Sequence, residues 1–211
     1  MDLFGRDFIC TQDWSVQELT AALELAAKMK RERFSDRWVN VLQHKTFIMF
    51  FYNPSVRTRI SFEAAATELG GHAQYMTPSA GRFKSEKKAG ETIEDAATVM
   101  ARYAAGLGIR ILEDKVPRYG AGDEVLQEYA RWSDVPILNM ADDRFRPCQA
   151  LADVMGWAEW LGQGPGRPDL EALRGKKFVL SWGSGALARS WCSVQAALLI
   201  ASRFGMDVRL A

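Results

Sequence analysis

The sequence has few of the residues that build disulfide frameworks or metal sites. Its 211 residues include three cysteines and two histidines, and Cys10, Cys148 and Cys192 lie far apart. Disulfide frameworks need pairs of cysteines, and zinc sites need cysteines or histidines at short spacings. The sequence therefore predicts no metal site, and its cysteine usage is typical of a reduced, cytoplasmic protein.

Charge of one sign and long apolar runs are missing as well. The 27 basic residues are balanced by 26 acidic ones, for a net charge of +1, which excludes the basic footprint of a nucleic-acid-binding protein. No apolar run is long enough to span a bilayer, and the first residues do not form a signal peptide. With 48% hydrophobic and 25% charged residues, the composition predicts a globular protein of one or two domains, with neither nucleic acid nor membrane as partner.

The most informative stretch is a polar segment between a predicted strand and a predicted helix. The apolar run Thr46–Tyr52 predicts a buried strand, and the pattern of Ile60–Leu69 predicts a helix. Between them, Ser55–Arg59 combines two hydroxyl side chains with two arginines. Helix N-termini attract anions through their backbone N–H groups and dipole, and arginine can grip a phosphate with two parallel hydrogen bonds. The segment favours a phosphate or carboxylate site; the alternative is a capped helix with two solvated arginines.

The rest of the first 146 residues alternates between strands and helices. Strands are predicted at His72–Met76, Leu107–Leu112 and Val135–Met140, and helices begin after a cap at Thr92 and at Asp123. With the strand before Ser55, this alternation predicts an α/β fold: a parallel four-stranded sheet with helices on both faces.

Arg110 lies near the end of the third predicted strand. In open parallel sheets, ligands bind beyond the carboxyl ends of the strands, which is also where Ser55–Arg59 falls. A buried guanidinium needs an anionic partner. Arg110 is therefore either a second ligand of the anion or a residue at the exposed end of its strand, and the sequence leaves both interpretations open.

The sequence after residue 146 predicts the start of a second α/β domain. A helix is expected at Pro147–Leu161, followed by a turn-rich linker and by a strand, a helix and a strand at Lys177–Trp182, Ser190–Phe204 and Met206–Leu210. One such unit cannot bury a full core, so we expect a Rossmann-like domain that is truncated at Ala211. The predicted domains are residues 1–146, an interdomain helix at 147–162, and 163–211.

A glycine pattern in the second part has the spacing of a dinucleotide-binding fingerprint. Gly183, Gly185 and Ala188 form G-x-G-x-x-A between a predicted strand and a predicted helix. The fingerprint also needs an acidic residue at the end of the next strand, but Asp207 lies at the start of that strand. A tight turn is therefore favoured, and an NAD-dependent dehydrogenase stays as a distant alternative.

Four blocks of residues together resemble the aspartate/ornithine carbamoyltransferase superfamily. The blocks are Ser55–Arg59 with Ser61-Phe62-Glu63, Gly90-Glu91-Thr92 with Asp95, Gly108-Ile109-Arg110, and Arg146-Pro147-Cys148-Gln149. Their order and spacing match across about residues 10–211. Thr11–Ser15 and Arg203–Val208 are similar to the N-acetylornithine branch, whereas Lys87–Thr92 is similar to the aspartate branch.

The resemblance implies an enzyme that transfers the carbamoyl group of carbamoyl phosphate to the amine of an amino acid and releases phosphate. The amine would be ornithine, N-acylornithine or a related compound, as in arginine biosynthesis, and the reaction would use no metal or organic cofactor. The first domain would bind carbamoyl phosphate and the second the amine. A homotrimer with shared active sites is also implied.

The resemblance further implies roles for individual residues. The residues that would hold the phosphate are Ser55, Val56, Arg57 and Thr58. Arg110 would join Thr58 at the carbonyl oxygen, Gln149 would bind the carbamoyl NH₂ group, and Arg59 would brace the turn. The lysines that would reach a neighbouring subunit's site are Lys84, Lys87 and Lys88.

The chain departs from the family pattern at Arg146, which stands where the family has the histidine of His-Pro-x-Gln. That histidine donates a hydrogen bond to the carbonyl oxygen, and an arginine can do the same as a permanent cation. Arg146 is therefore predicted to be catalytic, together with Arg57, Thr58, Arg110 and Gln149. Its greater length, and the absence of the family's later amine-binding segments, favour the alternative of a non-catalytic relative that binds an anion or a partner subunit.

Overall fold

The computed structural model describes residues 2–83, 89–183 and 191–211. The helices are α1 (Val16–Arg31), α2 (Val56–Glu68), α3 (Ile93–Tyr103), α4 (Ala121–Trp132), α5 (Pro147–Leu161) and α6 (Trp191–Arg203). The strands are β1 (Thr46–Phe51), β2 (His72–Met76), β3 (Gly106–Arg110), β4 (Ile137–Ala141), β5 (Lys177–Leu180) and β6 (Asp207–Leu210). The chain divides into two compact units: the first unit comprises residues 2–9 and 34–144, and the second unit residues 10–33 and 145–211.

The first unit contains a parallel sheet of four strands in the order β2-β1-β3-β4. In the pairing of β1 with β3, Phe51 lies opposite Arg110. The N-terminal segment adds a parallel bridge from Phe8 to Leu138 in β4. Because β1 and β3 are adjacent and parallel, the turn that leaves β1 begins beside the last residue of β3.

Both faces of this sheet are covered, as the alternation of strands and helices predicted. Ile48 and Phe50 of β1 pack in a core with side chains of α3 and α4. Their neighbours Met49 and Phe51 point to the opposite face, where Phe62 of α2 packs against the same cluster. All four β1 residues are 5% exposed or less, which is the burial expected of a central strand in a doubly covered sheet.

The second unit combines two helices from distant parts of the chain with a strand–helix–strand unit. Within it α1 packs against α5, and α5 against α6. β5 and β6 are parallel, with Lys177 opposite Asp207. Lys30 of α1 forms an ion pair of 2.7 Å with Glu159 of α5. The predicted strand–helix–strand order after residue 177 is therefore confirmed.

The prediction of α2 was wrong at its start. The helix begins at Val56 rather than at Ile60, with Ser55 as its N-cap. Val56 and Ile60 are 74% and 59% exposed, so no apolar stripe marks the first turn in the sequence. The arginine-containing segment is consequently the first turn of the helix itself.

The other boundaries moved by one or two residues. β1 ends at Phe51 rather than Tyr52, and β3 spans Gly106–Arg110 rather than Leu107–Leu112, because the N–H of Leu112 bonds to a side chain instead of to a strand. Apolar residues continue past the ends of strands, so composition alone overestimates their length. The remaining shifts are β4 to Ile137–Ala141, α4 to Ala121–Trp132, β5 to Lys177–Leu180 and β6 to Asp207–Leu210. Helix α6 ends at Arg203 rather than Phe204, and its predicted first residue, Ser190, lies outside the described residues.

The predicted functional domains, divided at residues 146 and 162, stay a prediction. Within the described ranges, no helix is both long enough and apolar enough to cross a membrane.

Candidate functional site

The segment predicted to bind an anion forms the junction between β1 and α2. The hydroxyl oxygen of Ser55 accepts a hydrogen bond of 3.3 Å from the N–H of Thr58. The first intrahelical bond joins the N–H of Arg59 to the carbonyl oxygen of Ser55 at 3.3 Å. The N–H groups of the residues before Arg59 therefore belong to the open end of the helix, where the dipole favours negative charge.

The side chains of this first turn differ in exposure. Val56 and Arg57 are exposed, whereas Thr58 is only 7% exposed. The hydroxyl of Ser55 still has its own proton to donate after accepting from Thr58. The turn therefore combines an exposed cation, a hydroxyl donor and backbone donors, which is the donor set that a phosphate requires.

Arg59 is engaged within the first unit rather than directed to a ligand. Its Nε donates to Oε1 of Glu63 at 2.8 Å, one helical turn further on. Its guanidinium also lies over the ring of Tyr75 in β2, 4.0 Å from the centroid. The contact with Glu63 lies within α2, and the contact with Tyr75 attaches α2 to β2, in agreement with a bracing role.

Arg110 is the last residue of β3 and is 7% exposed. The N–H of Tyr52, the first residue after β1, donates a hydrogen bond of 2.8 Å to the carbonyl oxygen of Arg110. Of the two interpretations that the sequence left open, the exposed strand end is excluded by this burial, and the role of Arg110 as a ligand of the anion stays a prediction. A buried guanidinium at this edge supplies positive charge in a low-dielectric setting, where it attracts an anion more strongly than in water.

Asn53 was not predicted as a site residue, although it lies between β1 and Ser55. It is 4% exposed. Its Oδ1 accepts a hydrogen bond of 2.7 Å from the N–H of Leu112, and its Nδ2 donates to Oδ1 of Asp114. The only signal in the sequence is an amide side chain immediately after a buried strand, because its partners lie 59 and 61 residues away.

The aspartates after β4 were also missed as structural anchors. Asp143 is 1% exposed and accepts hydrogen bonds from the N–H groups of Gly120, Gly122 and Asp123. These groups form the start of α4, whose N-cap is Gly120. Since glycine has no side chain to cap a helix, a carboxylate from another part of the chain takes that role. The signals for this cap are Gly120 before the helix and the adjacent acids Asp142 and Asp143, which are both buried.

A cleft of about 780 Å³ in the first unit has Tyr52, the first residue after β1, in its lining. It is lined mainly by apolar side chains, with Tyr52 and Ile111 among them. The hydroxyl of Tyr52 lies 3.2 Å from that of Tyr129. Burial raises the pKa of both phenols, so they act as neutral hydrogen-bonding groups at pH 7.

Arg146 and Gln149 belong to the second unit, at the start of α5. Nη1 of Arg146 donates to Oγ of Ser193 in α6 at 3.1 Å. Nε2 of Gln149 donates to Oδ1 of Asp153 at 2.7 Å. Burial raises the pKa of Asp153, and Gln149 and Arg146 partly oppose that shift. Both predicted residues therefore lie in one polar cluster around the first turn of α5.

Cys148, between these two residues, is half-buried. Burial raises the pKa of its thiol to about 11, against a smaller opposing effect of Arg146. The thiolate is then a minor species at pH 7, which makes Cys148 a poor nucleophile.

Some predicted residues lie outside the part of the chain that the structure describes. They are Lys84, Lys87 and Lys88, and Gly185 and Ala188 of the glycine pattern. Asp207 is the first residue of β6 and forms an ion pair of 2.8 Å with Arg209. Over the residues that the structure covers, no group of three or more His, Cys, Asp or Glu side chains could hold a metal ion.

Comparison with known proteins gives a consistent result over most of the chain. Residues 6–159 match the family described as aspartate/ornithine carbamoyltransferase, carbamoyl-P binding domain. N-acetylornithine carbamoyltransferase of Xanthomonas campestris pv. campestris is 37% identical over 97% of this chain and 60% of its own length. The anabolic ornithine carbamoyltransferase of Pyrococcus furiosus is 33% identical over 100% of this chain and 58% of its own length.

Solved structures show the same similarity. Acetylornithine transcarbamylase complexed with acetylcitrulline superposes with a TM-score of 0.82 at 35% identity, over 96% of this chain and 60% of that one. A variant of N-acetyl-L-ornithine transcarbamylase complexed with carbamyl phosphate and N-succinyl-L-norvaline gives 0.81 at 35% identity, again over 96% and 60%. The chain thus spans about 60% of the length of the relatives named here.

Proposed function

Because the chain belongs to the aspartate/ornithine carbamoyltransferase family, we propose that it transfers the carbamoyl group of carbamoyl phosphate to the amino group of an amino acid. Phosphate is the second product. The observation that carries the proposal is the junction of β1 and α2: β1 ends opposite the buried Arg110, and a short turn leads from it to a helix N-terminus with Arg57 and Thr58 in its first turn.

The junction is suited to bind the phosphate group of carbamoyl phosphate. The N–H groups of the first turn and the hydroxyl of Ser55 donate to its oxygens, and Arg57 adds a guanidinium that can bind two of them at once. When the carbon–oxygen bond to phosphate breaks, negative charge grows on the departing group. The same donors then bind it more strongly than before, which stabilises the transition state.

The carbonyl oxygen is the second centre that needs donors. A neutral amine attacks the carbonyl carbon, and negative charge develops on this oxygen. The bond between carbon and the phosphate oxygen then breaks as the carbonyl re-forms, and the proton lost by the attacking nitrogen passes to the departing phosphate. The family pattern assigns Thr58 and Arg110 to it; Thr58 lies in the first turn of α2 and Arg110 at the end of β3, and both are buried. Removing one such donor typically costs about 10²–10³-fold in rate. Holding the two substrates in contact supplies a further part of the acceleration.

The remaining roles are carried over from the family pattern. Gln149 is assigned to the carbamoyl NH₂ group, Arg146 to the carbonyl oxygen, and the lysines to a neighbouring subunit's site; these are Lys84, Lys87 and Lys88. We propose N-acetylornithine or ornithine as the amine, since the relatives named above are N-acetylornithine and ornithine carbamoyltransferases. The homotrimer and the division into a carbamoyl phosphate domain and an amine domain remain predictions, as does the cytoplasmic location.

A second candidate is a relative that binds carbamoyl phosphate without turning it over. It is favoured by the contact of Arg146 with Ser193, because a guanidinium engaged by α6 is a different group from the histidine of the family pattern. In this case the site for carbamoyl phosphate stays intact, and transfer of the carbamoyl group to an amine is lost.

Phosphate release separates the two candidates. The chain is incubated with carbamoyl phosphate and, in parallel, with N-acetylornithine, N-succinylornithine, ornithine, aspartate or no amine. The first proposal expects release above the amine-free rate with one of the ornithine derivatives. Saturable binding of carbamoyl phosphate by calorimetry without any amine-dependent release would support the second, and no binding at all would contradict both.

A further inference from the structure

We infer that Asn53 is a positioning residue: it binds the segment that follows Arg110 and so holds Arg110 and the first turn of α2 in register for one anion. The inference rests on the proposed function, because it concerns how the same site is held together. Asn53 itself is 4% exposed and is assigned no contact with substrate.

The orientation of the Asn53 amide is fixed by the chemistry of its partners. The N–H of Leu112 can only donate, so the atom that faces it at 2.7 Å is the carbonyl oxygen of the side chain. The carboxylate of Asp114 can only accept, so it faces the NH₂ group. Both ends of one short side chain are thus used by the same six-residue segment, 110–115.

That segment is tied down at several points around Arg110. The carbonyl oxygen of Arg110 accepts from Tyr52, and the N–H of Ile111 donates to the carbonyl oxygen of Ala141 in β4 at 2.9 Å. The N–H of Lys115 closes a turn onto Leu112 at 2.9 Å. The hydrogen bonds of Asn53 continue this attachment beyond the end of the sheet, where the segments that follow β1 and β3 are no longer paired as strands.

The position of Asn53 makes this attachment relevant to the site. It lies two residues before the N-cap Ser55, and its partner Leu112 lies two residues after Arg110. A phosphate bound jointly by the first turn of α2 and by Arg110 requires their separation to be set to within a fraction of an ångström. Displacement of a binding group by about 1 Å can cost roughly 10²-fold, even when the altered residue never touches the substrate.

Exchanging the amide and the carboxylate tests this role directly. Asn53→Asp keeps an acceptor for Leu112 but places a second carboxylate against Asp114, so we expect the affinity for carbamoyl phosphate to fall about 10–100-fold. Asn53→Asp combined with Asp114→Asn restores a donor–acceptor pair in the reverse sense. We expect this double variant to recover most of the affinity, because the amide introduced at position 114 can donate to the carboxylate introduced at position 53.

Affinity is measured by calorimetry with carbamoyl phosphate and, separately, with inorganic phosphate, and each variant's Tm is recorded beside it. Ser133→Ala is the matched control, since Ser133 also links side chain to backbone in the first unit, through Val135. It is expected to change Tm without changing affinity. If Asn53 has a purely structural role, Asn53→Asp will also change Tm without changing the affinity for carbamoyl phosphate, and that result would overturn the inference.

The outcomes separate this inference from the proposed function. If the unaltered chain fails to bind carbamoyl phosphate, the proposed function falls and the inference falls with it. If the unaltered chain binds and Asn53→Asp binds equally well, only the inference falls. If Asn53→Asp does not fold, the test is made at Asp114, which is exposed. Asp114→Ala removes the acceptor of the Asn53 amide and must weaken carbamoyl phosphate binding. Asp114→Asn keeps an acceptor oxygen and must leave binding unchanged.

Discussion

The N–H of Tyr52 donates a hydrogen bond of 2.8 Å to the carbonyl oxygen of Arg110, so the chain leaving β1 is attached to the last residue of β3. This contact brings together two parts of the sequence whose side chains carry fixed positive charge. It results from the register of two parallel strands, in which Phe51 lies opposite Arg110. The proposed anion site is thus a consequence of the sheet's topology.

Replacing the buried cation at this edge is expected to remove function and leave the fold intact. Arg110→Met keeps a long side chain and deletes the guanidinium. Turnover is expected to fall by about 10²–10³-fold, because a donor to the developing charge is lost. Phosphate release checks the rate and thermal unfolding checks the fold. A folded Arg110→Met variant with undiminished turnover would remove Arg110 from the site.

Restoring the family's histidine tests the departure at residue 146. Arg146→His deletes the contact with Ser193 and supplies a shorter donor. If the arginine crowds the acceptor site, amine-dependent phosphate release is expected to rise. Ser193→Ala is the matched variant, because it breaks the same 3.1 Å contact but keeps the guanidinium. A loss of activity in Arg146→His would instead mean that the arginine itself is the working donor.

The carboxylate that caps α4 is expected to contribute to stability rather than to catalysis. The carboxylate of Asp143 accepts from three N–H groups, and Asp143→Asn replaces one of its two oxygens by an NH₂ donor. The free energy of unfolding is therefore expected to fall by about 1–3 kcal/mol. Asp134→Asn is the control: its ion pair with Arg102 is 3.7 Å long and well exposed, and is worth at most about 1 kcal/mol. Urea unfolding of both variants measures the difference. Equal stability in the two would contradict the capping role.

The ion pair between Lys30 and Glu159 should make the stability of the second unit depend on pH. Burial of Glu159 raises its pKa, but hydrogen bonds from Lys30 and from the N–H of Gly166 outweigh that effect and lower it below the ordinary 4.5. A lowered pKa in the folded state means that the stabilisation is fully present above the unfolded pKa and is lost as pH falls through the folded one.

Glu159→Gln should therefore be less stable than the unaltered chain at pH 7, and the gap should shrink below about pH 4.5. Unfolding at several pH values measures it. Glu171→Gln serves as a control, since Glu171 is 87% exposed at its side chain. A gap that is constant from pH 7 to pH 3 would show that the charge of Glu159 is not what stabilises the unit.

Local features of the fold could be predicted because their partners are close in sequence. Thr92 caps α3 as predicted and forms a capping box with Asp95, three residues on, and Ser15 forms another with Glu18 at the same spacing. Strand β2 was predicted with its observed bounds. The alternation of strands and helices was sufficient for the parallel sheet, because parallel strands require such crossovers.

The features that were missed depend on contacts between distant residues. Asn53 binds Leu112, 59 residues away, and Asp143 caps a helix that begins more than 20 residues before it. An asparagine or an aspartate in a loop has many local roles, so nothing in its own neighbourhood identifies such a partner. The start of α2 was missed for a different reason: Val56, the apolar residue of its first turn, faces solvent, and the turn carries no apolar periodicity.

The assignment of the β1–α2 junction as the phosphate site is tested most directly by comparing two arginines that lie two residues apart on the same helix. Carbamoyl phosphate binding is measured by calorimetry for Arg57→Ala and for Arg59→Ala. We expect Arg57→Ala to lose measurable binding with an unchanged Tm, because Arg57 is exposed in the first turn. Arg59→Ala should bind but melt earlier, because it loses its contacts with Glu63 and Tyr75. Unchanged affinity in Arg57→Ala would contradict the assignment of the β1–α2 junction as the phosphate site.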